Sequence, residues 1–136
     1  MEQLQVLELL EATQQFEKKF NLALMYSGLR IPQFRAMIFL EKSGKITVSD
    51  LSRYMNVTRA TMSVLVNQLL NASIVESINN ISDKRSFYIK LTESGLRRLE
   101  LAQKEVSLVE NNISLSFSLE TIKALNNFSR EMLTKG

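Results

Sequence analysis

The chain has 136 residues, 45% of them apolar, which fits one domain with enough apolar material for a packed core. It contains no cysteine and no histidine, which excludes disulfides, thiol redox switching, Cys/His zinc sites and histidine acid–base chemistry. The net charge is +3, and the whole excess lies between Gly44 and Leu91, where Lys45, Arg53, Arg59, Lys84, Arg85 and Lys90 meet only Asp50, Glu76 and Asp83, the pattern of an anion-binding module between neutral flanks.

One proline, four glycines and a sustained Leu/Ile/Val/Met periodicity favour helices. The first is expected over residues 2–27, with Leu4, Leu7, Leu10, Phe16, Phe20 and Leu24 at helical spacing and Gly28 as its stop. Val6, Leu9, Leu22 and Met25 widen its apolar face beyond what one neighbour covers, which calls for a second partner such as another subunit. Pro32 opens a second helix that ends at Ser43 and Gly44. Thr47 or Ser49 caps a short third helix broken by Asn56, and Thr58 caps a fourth running to about Ala72; together they make a helix-turn-helix candidate.

Residues 74–78 and 86–91 read as paired strands, with Phe87, Ile89 and Leu91 alternating against Ser86, Tyr88 and Lys90. The polar link 79–85 is too long for a two-residue hairpin turn and is expected to project as a mobile wing. Thr92 opens a long helix to about residue 112, and Ser118 caps a last one carrying Leu119, Ile122, Leu125, Phe128 and Met132. The fold class is therefore mainly α, a winged helix-turn-helix with a two-stranded β wing and terminal dimerisation helices. The domain is single, with a lobe over about 30–91 between helical segments 1–29 and 92–136.

On the fourth helix, Met62, Leu65, Val66, Leu69 and Leu70 form an apolar arc, opposite Ala60, Val64, Asn67 and Asn71. A solvated helix face of this length normally carries Lys and Glu. A small uncharged one suits the major groove of double-stranded DNA, where hydroxyls and amides meet base edges and thymine methyls. Thr58 and Arg59 stand at its N-terminus, where free N–H groups favour a phosphate. In the wing, Asp83 precedes Arg85 by two residues, a spacing at which the carboxylate aims the guanidinium toward a narrow minor groove, with Lys84 beside it.

These segments resemble the MarR family of bacterial winged-helix regulators. The resemblance runs from Gly28 to Gly95, through Leu29-Arg30-Ile31-Pro32-Gln33-Phe34, Val48-Ser49-Asp50-Leu51, Val57-Thr58-Arg59-Ala60-Thr61, Leu65-Val66 and Asp83-Lys84-Arg85 followed by Leu91-Thr92-Glu93-Ser94-Gly95. It implies a homodimer held by the terminal helices, acting as a repressor on a pseudo-palindromic operator. It further implies DNA contacts from Thr58, Arg59, Ala60, Thr61, Ser63, Asn67, Lys84 and Arg85, with Asp83 orienting the wing. Many members also bind a small aromatic effector, for which Phe16, Phe20, Met25, Tyr26, Phe34 and Met37 are the candidate lining; aromatic and Met residues at this spacing are more often core. Ser73 departs from the family pattern where a glycine is usual, and Ser77 where an arginine often follows Val-Glu.

The alternative is a winged helix that binds a protein partner without specific DNA binding, because fold alone does not fix function. An enzyme is not expected: no nucleophile–base pair, metal cluster or phosphate-cradling loop is present, and no cofactor is called for. The start at Met1-Glu2-Gln3-Leu4 lacks a signal-peptide pattern and no apolar run approaches the ~20 residues of a membrane span, so a soluble cytoplasmic protein is expected.

Overall fold

The computed structural model describes residues 2–135. In chain order these form α1 (Val6–Leu24), a 3₁₀ turn (Met25–Ser27), α2 (Ile31–Ser43), β1 (Ile46–Thr47), α3 (Val48–Met55) and α4 (Arg59–Asn71). There follow β2 (Val75–Asn79), β3 (Phe87–Leu91), α5 (Glu93–Ser116) and α6 (Leu119–Lys135). Gly28 stops the first helical run at φ +72°, as its position predicts. Helix α2 starts one residue ahead of Pro32. Gln33 closes that end by accepting the Arg30 N–H at 3.0 Å.

The caps read from the sequence are made. Thr47 is the cap of α3, accepting the Asp50 N–H at 3.2 Å, and Thr58 caps α4 through the Thr61 N–H at 3.1 Å. Thr92 and Ser118 do the same for α5 and α6, at 2.9 and 3.1 Å. Asn56 ends α3 at φ +54°, in the left-handed region that asparagine tolerates better than most residues.

The sheet has one strand more than expected. β1 pairs antiparallel with β3 through Ile46 opposite Ile89 and Thr47 opposite Tyr88, which gives the strand order β1-β3-β2. Val75 lies opposite Leu91 and Asn79 opposite Phe87. Ile46, Val75, Ile89 and Leu91 face inward and are buried, but Phe87 near the wing is exposed, so the expected apolar face stops short of the sheet's outer end. Helix α5 runs to Ser116 and passes the predicted end near residue 112, because its polar C-terminal residues lie on exposed faces and do not break it.

One core ties the lobe to the first turns of α5. Leu24, Met37, Leu40, Leu51, Met62, Leu69, Ile74, Ile89 and Leu99 are all essentially inaccessible. At the seam between α4 and α5, Ser73 adopts φ +57°, a left-handed conformation that a serine holds at some cost where a glycine would not. The Thr92 hydroxyl donates to the Ser73 carbonyl at 2.6 Å, and the Thr92 N–H donates to the Ile74 carbonyl at 3.0 Å. Gly95 packs directly on that carbonyl: a Cβ there would sit 2.1 Å from the Ile74 oxygen. The Leu-Thr-Glu-x-Gly run is thus a structural seam, with Leu91 in the core, Thr92 capping and Gly95 permitting the close approach.

The terminal helices look different. No residue of α6 is buried, and Leu7, Leu22, Leu108, Leu115, Phe117 and Leu133 are among the apolar side chains exposed on α1, α5, α6 and their link. Among the described residues no helix is long and apolar enough to cross a membrane.

Candidate nucleic-acid interface

Helix α4 buries Met62, Leu65, Val66 and Leu69 against the lobe. That leaves Arg59, Ala60, Thr61, Ser63, Val64, Asn67, Gln68 and Asn71 exposed, and apart from Arg59 at its first position this surface is uncharged. Small side chains keep the backbone close to whatever the helix meets. Thr58 is committed on both sides of its oxygen. It accepts the Thr61 N–H and donates to the Thr61 hydroxyl at 2.9 Å, so Thr61 keeps its own hydrogen for an outside acceptor. Thr58 serves this surface as its cap. On the flank, Gln33 Nε2 donates to Gln68 Oε1 at 3.3 Å, a tie from α2 to α4 that no local spacing reveals.

The wing at residues 79–85 carries its own network of hydrogen bonds. Asn80 Oδ1 accepts the Ser82 N–H at 3.1 Å and the Asn80 carbonyl accepts the Asp83 N–H at 3.2 Å. The Asp83 carbonyl in turn accepts the Ser86 N–H at 3.2 Å, and Asn80 Nδ2 donates to Ser86 Oγ at 3.0 Å across the loop's neck. Asp83 Oδ1 takes the Arg85 N–H at 3.0 Å and lies 3.5 Å from Arg85 Nε. The Asp83–Arg85 pairing read from the sequence is therefore formed, and the Arg85 side chain remains 94% exposed.

The six cations of the middle third divide by environment. Arg53 pairs with Asp50, Arg85 with Asp83, and Lys90 Nζ lies 3.9 Å from Glu76. Lys45 sits over the Tyr88 ring, 4.6 Å from its centroid. Among the described residues, Arg59 at the head of α4 and Lys84 in the wing have no carboxylate within ion-pair distance. The hydrogen bond from Arg53 holds the Asp50 carboxyl below its ordinary range. Ser77, where an arginine was noted as missing, is exposed opposite Ile89 on β3 and adds no charge.

The six candidate effector residues are split. Phe16, Phe20 and Phe34 form an aromatic ladder with centroids 6.4 and 6.0 Å apart. Phe34 and Met37 belong to the core, while Met25 and Tyr26 point to solvent, 68% and 82% exposed.

A helix-turn-helix with an exposed uncharged second helix and an arginine-bearing hairpin defines a winged helix-turn-helix protein. The MarR family profile matches residues 27–86, which span the end of the first helical run through the wing. The homoprotocatechuate degradative operon repressor of Escherichia coli is 23% identical over 128 residues, covering 94% of this chain and 86% of the relative. The HTH-type transcriptional repressor YetL of Bacillus subtilis (strain 168) is 32% identical over 75 residues, covering 54% of this chain and 45% of YetL. A cysteine-to-serine mutant of E. coli MarR, complexed with operator DNA, superposes with a TM-score of 0.81 at 20% identity, covering 93% of this chain and 91% of that one. Over residues 27–86 the chain is similar to the MarR family, and its fold is that of the winged helix-turn-helix proteins it superposes on.

Proposed function

We propose that the protein is a homodimeric repressor that binds a pseudo-palindromic operator in double-stranded DNA and works in the cytoplasm. The observation that carries this reading is the pairing of two exposed features on one lobe. One is the charge-free face of α4 behind Arg59; the other is Arg85, held by Asp83 yet almost fully exposed. The α4 face enters a major groove, with Ala60, Thr61, Ser63 and Asn67 against the bases and Arg59 at a phosphate beside the Thr58 cap. Arg85 enters the adjacent minor groove and Lys84 takes the backbone next to it.

Dimerisation supplies the second half-site. The apolar faces of α1, α5 and α6 left uncovered in one chain are the surface a second copy buries, so residues 1–29 and 92–136 act as the dimer region around the lobe at 30–91. An aromatic effector lodges beside the Phe16–Phe20–Phe34 ladder, between dimer helices and lobe.

The test is selection from a random duplex pool with purified protein, followed by anisotropy titration of the best duplex at two salt concentrations. Expected are an inverted repeat with half-sites about one helical turn apart and affinity that falls steeply with salt. Arg85→Ala should bind about tenfold or more weakly, with a salt slope reduced by about one. No enriched duplex, or equal weak binding by both proteins, would move the reading to a protein-binding winged helix.

A further inference from the structure

The wing's hydrogen bonds converge on a residue that no DNA-contact pattern singles out. Both ends of the Asn80 amide are used: its oxygen fixes the turn at Ser82, and its nitrogen reaches Ser86 across the loop. Asn80 and Ser86 are half-buried at the neck, whereas Ile81, Ser82, Lys84 and Arg85 beyond them are exposed. Two consecutive turns, Asn80 to Asp83 and Asp83 to Ser86, share Asp83. The carboxylate that holds Arg85 therefore sits where those turns meet.

We propose that Asn80 and Ser86 form a clasp that presets the wing, making both positioning residues for Arg85 in DNA binding. Without the clasp, seven residues would have to be ordered when DNA arrives, and that conformational entropy would be subtracted from affinity. With it, the Asp83–Arg85 pair is placed before DNA is met. The clasp lies outside the buried core, so its loss acts on the wing and leaves the fold intact. This inference rests on the DNA-binding reading above.

The test uses the duplex selected by the wild-type protein and the variants Asn80→Ala, Ser86→Ala, Ser86→Thr, Arg85→Ala and Asn80→Ala/Arg85→Ala. Asn80→Ala and Ser86→Ala should each bind about three- to tenfold more weakly. Their salt slopes and thermal midpoints should match wild type, because no phosphate contact and no core contact is lost. Ser86→Thr keeps the hydroxyl and should bind as wild type. Adding Asn80→Ala to Arg85→Ala should cost clearly less than Asn80→Ala alone, since only Lys84 is left in the wing for the clasp to position.

An undiminished effect of Asn80→Ala without Arg85 would make Asn80 a direct DNA contact and overturn the proposal. So would unchanged affinity in Asn80→Ala and Ser86→Ala, or a matching drop in thermal midpoint for both. If Arg85→Ala weakens binding while the clasp variants do not, the proposal falls and the DNA-binding reading stands. If the wild type selects no duplex, both fall together.

Discussion

The lobe between Ile31 and Leu91 and the terminal helices are built from similar residues and end in different states. In the lobe, capped helices and a three-stranded sheet close over buried Met37, Leu40, Leu51, Met62, Leu69 and Ile89. In α6 no residue is buried at all, and α1 buries only Leu24. Burial of apolar area is the main favourable term in folding, at about 25 cal/mol per Å². One chain thus satisfies its lobe and leaves its terminal helices with apolar surface still in water. This exposed apolar surface is what the proposed second copy would cover.

The largest effect that would break this contrast lies at the seam between the two regions. Gly95→Ala places a methyl against the Ile74 carbonyl, and should lower stability by about 3 kcal/mol or more in urea unfolding. A near-neutral result would mean that the seam can open. Next, Leu125→Glu with Phe128→Glu on α6 should sediment as a folded monomer with its helical circular dichroism largely kept. Binding to a two-half-site duplex should fall by about 100-fold, as avidity is lost. A dimer that persists would take α6 out of the interface.

Smaller changes sharpen the lobe side. Ser73→Gly relieves a left-handed serine and should raise stability by about 0.5–1 kcal/mol, the strain outweighing the extra freedom of glycine in the unfolded chain. Asp50→Asn should give the smallest shift, a slight fall in melting temperature at neutral pH. The Asp50 pKa is lowered in the folded state, so its contribution is present above the ordinary carboxylate pKa and fades as pH falls through the lowered value. Wild type and Asp50→Asn should therefore converge in acid, and a gap that widens there would mean that another group sets the difference.

Much of the lobe was legible because its signals are local. Thr58, Thr92 and Ser118 announce helix starts by an oxygen three residues ahead of the N–H it accepts. The exposed face of α4 follows from where Met62, Leu65 and Val66 must go. The Asp83–Arg85 pair was readable from its spacing of two residues. What escaped depends on distant chain: β1 is two residues long and is a strand only because Ile46 meets Ile89. Asn80 reaching Ser86 and Gln33 reaching Gln68 leave no periodicity to find. Phe34 and Met37 had the composition of a pocket wall, but helical spacing cannot tell a wall from a core, and both lie in the core.

The seam also makes a lever of α5. The helix has 24 residues, about 36 Å at 1.5 Å per residue. Its first turn is locked to the end of α4 through Thr92, Ser73 and Ile74. With lobe and helix joined there, a rotation of the lobe by about 5° carries the far end of α5 through about 3 Å. Held at that far end instead, the same rotation displaces the lobe by as much. A small rotation about the far end of α5 is therefore enough to shift the lobe against its surroundings by roughly the rise of one base pair, with every hydrogen bond inside the lobe kept.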